Sequence, residues 1–468
     1  MKRENRDQYI GIIRLLFTVL LLASCAAVFW VVWDVYYNPH IVLPYVFWGF
    51  VLLVVLYLII HIVFLAAYGA TKYGYYKMSR IVTLQLFATV CVNLVVYVEA
   101  ALLSAGWQTF LPIIWMTAAD LVLIFLWAGI FTLYAKLRIP PRKLLLVYQD
   151  YPPNDFLQKI MTRGDKFHVE KVMNISCGLN RIKDEMLKYD GLVIYDLHSE
   201  VRNLLLKFCY ANSIRTYITM KISDVLIRGS EILDFFDSPL MLSRNGGLTF
   251  GERVIKRTTD IVFSGLLLLI TSPVFLITAL LIKLYDGGPV FFRQDRCTIG
   301  GKVFSIHKFR SMKVGADRDS TPVVDGDKRV TPFGKFLRRS RLDELPQLID
   351  ILKGDMSLVG PRPERVENVK KYSEAIPEFP FRLKVKGGLT GYAQVYGKYN
   401  TSAYDKLKLD LIYIKNYSIR LDFKLLLKTL QIVFTRESAE AFSQEQVDKI
   451  WDLNEEAFFI QIKGKRHD

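Results

Sequence analysis

PYVFWGFVLLVVLYLIIHIVFLAA, residues 44–67, is where the reading of this chain begins. The stretch holds no Asp, Glu, Lys or Arg, and it exceeds the ~20 residues a helix needs to cross a hydrocarbon core. Three more apolar stretches, 10–33, 81–103 and 111–134, are of similar length. One such run could be the buried helix of a soluble core; four in succession predict a membrane protein with an N-terminal four-helix transmembrane bundle over residues 1–140. The composition agrees: 52% of the 468 residues are hydrophobic, and the excess is concentrated in the first third. The first run is span-length and no small-residue cleavage site follows it, so no cleavable signal peptide is expected.

The charges between the runs predict orientation. Lys2, Arg3 and Arg6 precede the first run, Lys72, Lys77 and Arg80 separate the second from the third, and Lys136, Arg138, Arg142 and Lys143 follow the fourth. The connections Asp34–His40 and Ser104–Gln108 contain neither Lys nor Arg. By the positive-inside rule both ends of the bundle face the cytoplasm. Asp120 and Glu99 lie in or near the runs and are read as packing polars. The net charge of +16 suits soluble parts that lie against an anionic leaflet and bind a polyanion. Nucleic acid is excluded as the partner, because the basic residues interleave with membrane-type segments and no nucleic-acid module is present. Cys25, Cys91, Cys177, Cys209 and Cys297 have no metal or redox spacing and are expected to be free thiols.

From 142 to 245 the pattern changes. Short apolar runs (Leu144–Tyr148, Val169–Met173, Leu192–Tyr195, Thr216–Met220) alternate with the amphipathic stretches Asn180–Lys188 and Glu200–Ala211. This predicts βαβ units and a Rossmann-like α/β middle domain. Its first strand-to-helix turn, Tyr148-Gln149-Asp150-Tyr151-Pro152-Pro153, lacks the glycines that cradle a pyrophosphate, and its prolines remove N–H donors. A dinucleotide-dependent epimerase or dehydratase is therefore disfavoured. A structural, regulatory or dimerising role is expected instead, and a homodimer would fit it.

Residues Ile261–Leu284 form another apolar run, interrupted at Ser272-Pro273. A fifth crossing would place a Lys- and Arg-rich remainder outside, against the positive-inside rule. A helix kinked at Pro273, re-entering and returning to one face, also fits, with the Ser272 hydroxyl placed to serve a freed backbone group. Hydropathy leaves the two open. Beyond it, Arg293, Arg296, Lys308 and Arg310 lie among glycine turns and short strands and supply cationic donors suited to phosphate, although such a run alone is more often a solvated face or a lipid-headgroup contact. Then comes Arg338-Arg339-Ser340-Arg341-Leu342-Asp343-Glu344-Leu345-Pro346-Gln347. Adjacent carboxylates in a basic segment suit phosphoryl transfer: one can hold Mg²⁺ and the other can attack phosphorus. An Asp-Glu dipeptide alone is usually just solvent-exposed.

Residues 253–434 resemble the monotopic phosphoglycosyl transferases, bacterial sugar transferases that act on polyprenyl phosphate. The resemblance is carried by Lys256-Arg257, Asp260, Ser272-Pro273, Gly288-Pro289-Val290, Lys308-Phe309-Arg310-Ser311-Met312, Leu342–Gln347, Gly360-Pro361-Arg362-Pro363 and Leu389-Thr390-Gly391. With four preceding spans, the chain is similar to the larger members, which start exopolysaccharide, capsule or O-antigen units. The resemblance implies a C-terminal α/β catalytic domain with a re-entrant membrane helix over 260–284, on the cytoplasmic face of the bacterial cell membrane. It implies transfer of a hexose 1-phosphate from a UDP-sugar to undecaprenyl phosphate, with release of UMP. Asp343 would be the nucleophile that carries the sugar phosphate, Glu344 the Mg²⁺ ligand, and Arg338 and Arg362 phosphate contacts. Ser272-Pro273 would be the break of the re-entrant helix. One departure stands out: the family usually has Pro-Gly before its Thr-Gly motif, and this chain has Gly387-Gly388, which predicts a more flexible loop. Tyr404–Tyr417 and Asp422–Phe434 read either as amphipathic helices in the membrane interface or as helices packed on the catalytic core. The polar stretch 435–468 lies outside the resemblance. A non-catalytic scaffold for polysaccharide assembly is the alternative, which loss of Asp343, Glu344 or Arg362 would have favoured.

Overall fold

In the computed structural model, which describes residues 3–234, 237–316, 327–397 and 401–434, the four N-terminal apolar runs are helices: α1 (Arg3–Val32), α2 (Phe47–Tyr68), α3 (Met78–Leu103) and α4 (Leu111–Arg138). Each is long and apolar enough to cross a membrane, and a fifth such helix occurs later in the chain. Their contacts with one another are largely aromatic and aliphatic, with Phe29 stacked on Tyr57 at 4.4 Å between ring centroids. Asp120 is fully buried and accepts a hydrogen bond from Asn93 Nδ2 at 3.1 Å, so at least one carboxylate oxygen is served within the helices.

A parallel sheet follows. Strands β1 (Arg142–Tyr148), β2 (Phe167–Asn174), β3 (Gly191–Tyr195) and β4 (Arg215–Ile218) lie in the order β2-β1-β3-β4, connected through helices α5 (Asn154–Met161), α6 (Leu179–Met186) and α7 (Ser199–Ala211). In β1, Leu144 to Val147 are wholly buried because both faces of the sheet are covered. Leu145 and Val147 pack with Ile182, Met186 and Leu205, and Leu144 and Leu146 pack with Phe156, Leu157 and Ile160. That is why the strand reads as an unbroken apolar run rather than an alternating one. Each such side chain contributes about 1.5–3 kcal/mol.

The chain divides into two compact units, Met1–Met220 and Lys221–Asp468. The middle segment read as 142–245 therefore contributes its sheet to the first unit and residues 221–245 to the second. There α8 (Ile222–Arg228) and the hairpin of β5 (Glu231–Leu233) and β6 (Leu240–Leu242) precede α9, a helix of 37 residues from Phe250 to Asp286. The remaining elements are the antiparallel pair β7 (Phe291–Cys297) and β8 (Val303–Phe309), then α10 (Pro332–Arg339), α11 (Gln347–Lys353) and β9 (Ser357–Val359). After them come α12 (Val366–Ala375), β10 (Gly388–Thr390), α13 (Tyr392–Tyr396), α14 (Ala403–Lys415) and α15 (Ile419–Phe434). The C-terminal stretch 435–468 lies outside the described residues.

Helix α9 starts at a capping box in which Thr249 and Glu252 bond reciprocally, and it ends at Gly287, whose φ of 66° is the left-handed conformation that glycine adopts without strain. It continues as one helix through Pro273. Pro273 cannot bond the carbonyl four residues back, that of Leu269, and the Ser272 hydroxyl donates to this carbonyl at 2.8 Å. Both ends of α9 are tied to the second unit. Near its start, Lys256 pairs with Asp422 at 2.7 Å, and Asp260 accepts from Ser357 Oγ and the Leu358 N–H, each at 3.0 Å. Near its end, Phe275, Ala279 and Ile282 pack on Phe309 and Leu337. Between them Leu266, Leu269 and Ile270 are exposed.

Helices α14 and α15 bury one face against this core: Leu407, Asp410, Leu411 and Tyr413 on α14, and Asp422, Leu425 and Lys428 on α15. The other face of α15 presents Ile419, Phe423 and Leu430 to the outside. The reading of these two helices as packed on the catalytic core describes the buried face of each.

Candidate active site

The Asp343-Glu344 pair sits on a single 3₁₀ turn, Leu342–Glu344, directly after α10. Arg341 enters the turn at φ 59°, an uncommon conformation for a side chain with a Cβ, and this abrupt change of direction takes the next residues inward. Asp343 and Glu344 are 9% and 8% exposed, unlike most Asp-Glu dipeptides. Glu344 Oε1 accepts from Lys308 Nζ at 2.9 Å and from Arg362 Nη2 at 2.8 Å, while Oε2 faces Arg341 Nη1 at 3.8 Å. Strand β8 delivers Lys308, and the segment after β9 delivers Arg362.

The two neighbouring carboxyls titrate in opposite directions. Burial pushes Asp343 up, and the charge of Glu344 adds to it, against Lys308, Arg338 and Arg341. Burial would also raise Glu344, but Lys308, Arg362 and Arg341 outweigh it and hold this carboxyl well below the usual range. Arg362 is in turn stabilised as a cation, chiefly by Glu344. The result is one firmly ionised carboxylate already engaged with cations, beside a second whose charge is less strongly compensated.

The other expected residues lie around this centre in different ways. Arg338 donates from Nε to Ser311 Oγ at 2.7 Å, and its charge reaches Asp343. Arg296 is directed to the Pro363 carbonyl at 3.0 Å and to Gln294 Oε1 at 2.6 Å, and burial with the repulsion of Arg362 lowers it to about 10. Arg310 donates from Nε to the Pro289 carbonyl at 2.7 Å, and Gly288 packs against its guanidinium, so this arginine helps hold the turn before β7. Ser272 and Pro273 belong to α9 and are not part of the carboxylate cluster.

Several contributors had escaped the sequence reading. Arg341 is one, and its position next to the acidic pair was the only hint. Arg382 is another: its Nη2 donates to the Arg362 carbonyl at 2.9 Å, and its guanidinium pairs with the buried Asp410 at 2.8 Å. It therefore fixes the backbone that presents Arg362. His307, next to Lys308, bonds Asp350 Oδ1 through Nδ1 at 2.6 Å and Oδ2 through its backbone N–H at 2.9 Å.

The floor beneath Arg362 is a crossing of two backbones. β9 and β10 pair in parallel, and Gly360 N donates to Thr390 O at 2.8 Å while Gly388 N donates to Pro361 O at 2.9 Å. A Cβ at Gly388 or at Gly391 would lie inside van der Waals contact with the Gly360 backbone. Gly387, expected to loosen this loop, is instead held: its N–H donates to Thr298 Oγ1 at 3.1 Å and its carbonyl accepts from Ser357 N at 2.8 Å. A Cβ there would stand 2.6 Å from Pro363 Cγ.

Among the described residues, no three or more His, Cys, Asp or Glu side chains gather as a metal site. Mg²⁺ does not require that many: it commonly takes one or two carboxylates together with substrate phosphates. Glu344 Oε2, which faces Arg341 at 3.8 Å while Lys308 and Arg362 bond Oε1, is the oxygen that could join such a set.

Residues 251–436 match the family described as bacterial sugar transferase. A UDP-glucose:undecaprenyl-phosphate glucose-1-phosphate transferase of Caulobacter vibrioides is 41% identical over 190 residues, covering 39% of this chain and 71% of the relative. A protein of the same description from Klebsiella pneumoniae is 36% identical over 267 residues, 56% of each chain. A UDP-N-acetylgalactosamine-undecaprenyl-phosphate N-acetylgalactosaminephosphotransferase of Aeromonas hydrophila is 43% identical over 185 residues, 39% of this chain and 44% of the relative. The chain spans about half the length of the last two.

Proposed function

The chain belongs to the bacterial sugar transferase family, and we therefore propose that it transfers a hexose 1-phosphate from a UDP-sugar to undecaprenyl phosphate, releasing UMP. The observation that carries the reading is the buried Asp343-Glu344 pair, ringed by Lys308, Arg338, Arg341 and Arg362.

In the first step an Asp343 carboxylate oxygen attacks the β-phosphorus of the UDP-sugar. A bond from Asp343 oxygen to phosphorus forms, the bond from that phosphorus to the bridging oxygen breaks, and UMP leaves with the electron pair. The sugar phosphate remains as an acyl phosphate. In the second step an oxygen of the lipid phosphate attacks the same phosphorus, and Asp343 departs as a carboxylate. Arg338, Arg341 and Lys308 lie where they can offset charge on the phosphoryl oxygens, and Arg362 is oriented by Glu344 and by the Arg382 contact to its carbonyl. Bound Mg²⁺, held by Glu344 and the substrate phosphates, would supply charge neutralisation to the diphosphate. Burial keeps water from competing for the acyl phosphate.

The membrane arrangement belongs to the same proposal. Helices α1–α4 are four spans with both ends in the cytoplasm, a reading supported by the Lys and Arg distribution between them. The parallel sheet is a Rossmann-like domain without a dinucleotide. Helix α9 enters and leaves by one face, which is supported by its two ends being tied to one unit and by the Ser272 hydroxyl at Leu269. The Ile419, Phe423 and Leu430 face of α15 rests in the interface. The catalytic unit then faces the cytoplasm at the cell membrane.

The test is UMP release from a panel of UDP-sugars in membranes supplied with undecaprenyl phosphate and Mg²⁺. Release from one sugar, lost in a folded Asp343→Asn protein, is expected. Release that persists in Asp343→Asn would refute the nucleophile, and no release from any sugar would move the reading to a scaffold.

A further inference from the structure

The first unit carries a concentration of positive charge that the proposed chemistry does not use. Arg14 on α1 places its guanidinium 4.4 Å from the centroid of the Tyr75 ring, and Lys166, just before β2, places Nζ 4.4 Å from the same centroid. Arg163 is fastened nearby, with Nη1 donating to the Tyr75 carbonyl at 2.6 Å. Arg142 at the start of β1 and Arg215 at the start of β4 act on Lys166 as well, and burial together with Arg163, Arg14, Arg215 and Arg142 lowers this lysine to about 8. Asp165 holds Arg163 through two hydrogen bonds at 2.8 and 2.9 Å. Arg14 from α1 and Arg163 and Lys166 from the 162–166 turn thus converge on Tyr75, with Asp165 the acid bonded at this cluster among the described residues. Such crowding is costly unless an anion joins it.

A second observation bears on what kind of anion. Between α1 and α2 runs a groove of about 360 Å³, walled by Leu15, Leu22, Ile62 and Leu65, with Arg14 and Thr71 among its lining residues. Its size falls within the roughly 300–1,000 Å³ of small-molecule sites. Arg14 therefore belongs to both the apolar groove and the cationic cluster, and its Nε is buried without a hydrogen-bond partner among the described residues. An apolar slot that ends on converging cations fits a ligand with a hydrocarbon tail and a phosphate head.

We propose that the groove between α1 and α2 and the cluster of Arg14, Arg163 and Lys166 form a binding site for an anionic phospholipid, with an acyl chain along the groove and the headgroup phosphate at the cluster. This site is independent of the carboxylate pair. Because Arg163 and Lys166 sit at the edge of the parallel sheet while Arg14 is on a bilayer helix, the lipid bridges the two parts of the first unit.

The experiment uses the full chain in detergent, exchanged with mixed phosphatidylglycerol and phosphatidylcholine, with retained lipid counted by native mass spectrometry. The wild type should retain phosphatidylglycerol in preference to phosphatidylcholine. Arg14→Gln/Lys166→Gln should weaken that retention about thirtyfold, from the loss of two charges near an anionic headgroup. Ile62→Trp, which fills the groove and leaves every charge in place, should weaken it as well. Equal retention of the two lipids by the wild type, undiminished retention in Ile62→Trp, or full displacement of the lipid by inorganic phosphate would each overturn the proposal.

Discussion

Replacing Gly387 by proline would restore the residue usual at that place in the family, yet here it should destabilise the protein. The Gly387 N–H donates to Thr298 Oγ1, which is itself tied to the Asp355 carbonyl, and proline removes that donor. Losing one hydrogen bond of this kind costs about 1 kcal/mol. The added Cβ would stand 2.6 Å from Pro363 Cγ, and relief of such overpacking costs about 1–3 kcal/mol. A stiffer unfolded chain returns only about 0.4–1 kcal/mol. The balance is a loss of about 1–3.6 kcal/mol, which corresponds to a fall in Tm of roughly 2–14 °C at about 2–4 °C per kcal/mol for a unit of this size. Because Pro363 follows Arg362, UMP release should fall as well. The assay is thermal unfolding of the detergent-solubilised protein, with UMP release measured on the same preparation. Gly387→Pro/Pro363→Ala should recover the steric part and leave the hydrogen-bond part. An unchanged or higher Tm in Gly387→Pro would refute the account of this loop as held rather than loose.

Three further expectations concern the site and its supports. Asp343 must be ionised to attack, and its carboxyl is raised by burial and by Glu344, so the rate should climb with pH through a midpoint above the ordinary aspartate value of about 3.9; a rate that stays flat down to pH ~4 in a protein still folded there would contradict this. Arg382→Met should cost about 3–5 kcal/mol by leaving Asp410 buried and unpaired, and Arg382→Met/Asp410→Leu should recover much of it; melting temperatures that place the double variant no higher than the single one would count against the pair. Chelation of Mg²⁺ should stop UMP release without lowering Tm appreciably, since the described residues form Glu344's ion pairs without it; a large drop in Tm would indicate a structural ion instead.

Much of the architecture could be read from spacing alone, because single-period patterns govern it. The apolar runs coincide with α1–α4, and the short runs of Leu144–Tyr148 and Leu192–Tyr195 coincide with β1 and β3, where burial on both faces leaves a plain apolar signature. The Asp343-Glu344 pair stood out only through the motifs around it. What could not be read depends on partners far apart in sequence. Arg382 and Asp410 each look like surface charges until the fold brings them together. The unit boundary at 220 escaped because residues beyond it pack on α14: Gly229 lies against Lys415, nearly two hundred positions later. Arg341 depends on a backbone angle that composition does not encode. The expected looseness of Gly387-Gly388 was a local inference from residue type, and long-range bonds to Thr298 and Ser357 overrode it.

The backbone crossing at Gly360, Gly388 and Gly391 also restricts how such an enzyme can evolve. Any side chain at Gly388 or Gly391 would strike the main chain at Gly360, so neither segment can accept even a methyl group unless the other moves with it. Single substitutions there are closed, and a compensating pair would have to displace the segment that carries Arg362. Divergence toward new donors must therefore run through positions that leave the crossing intact.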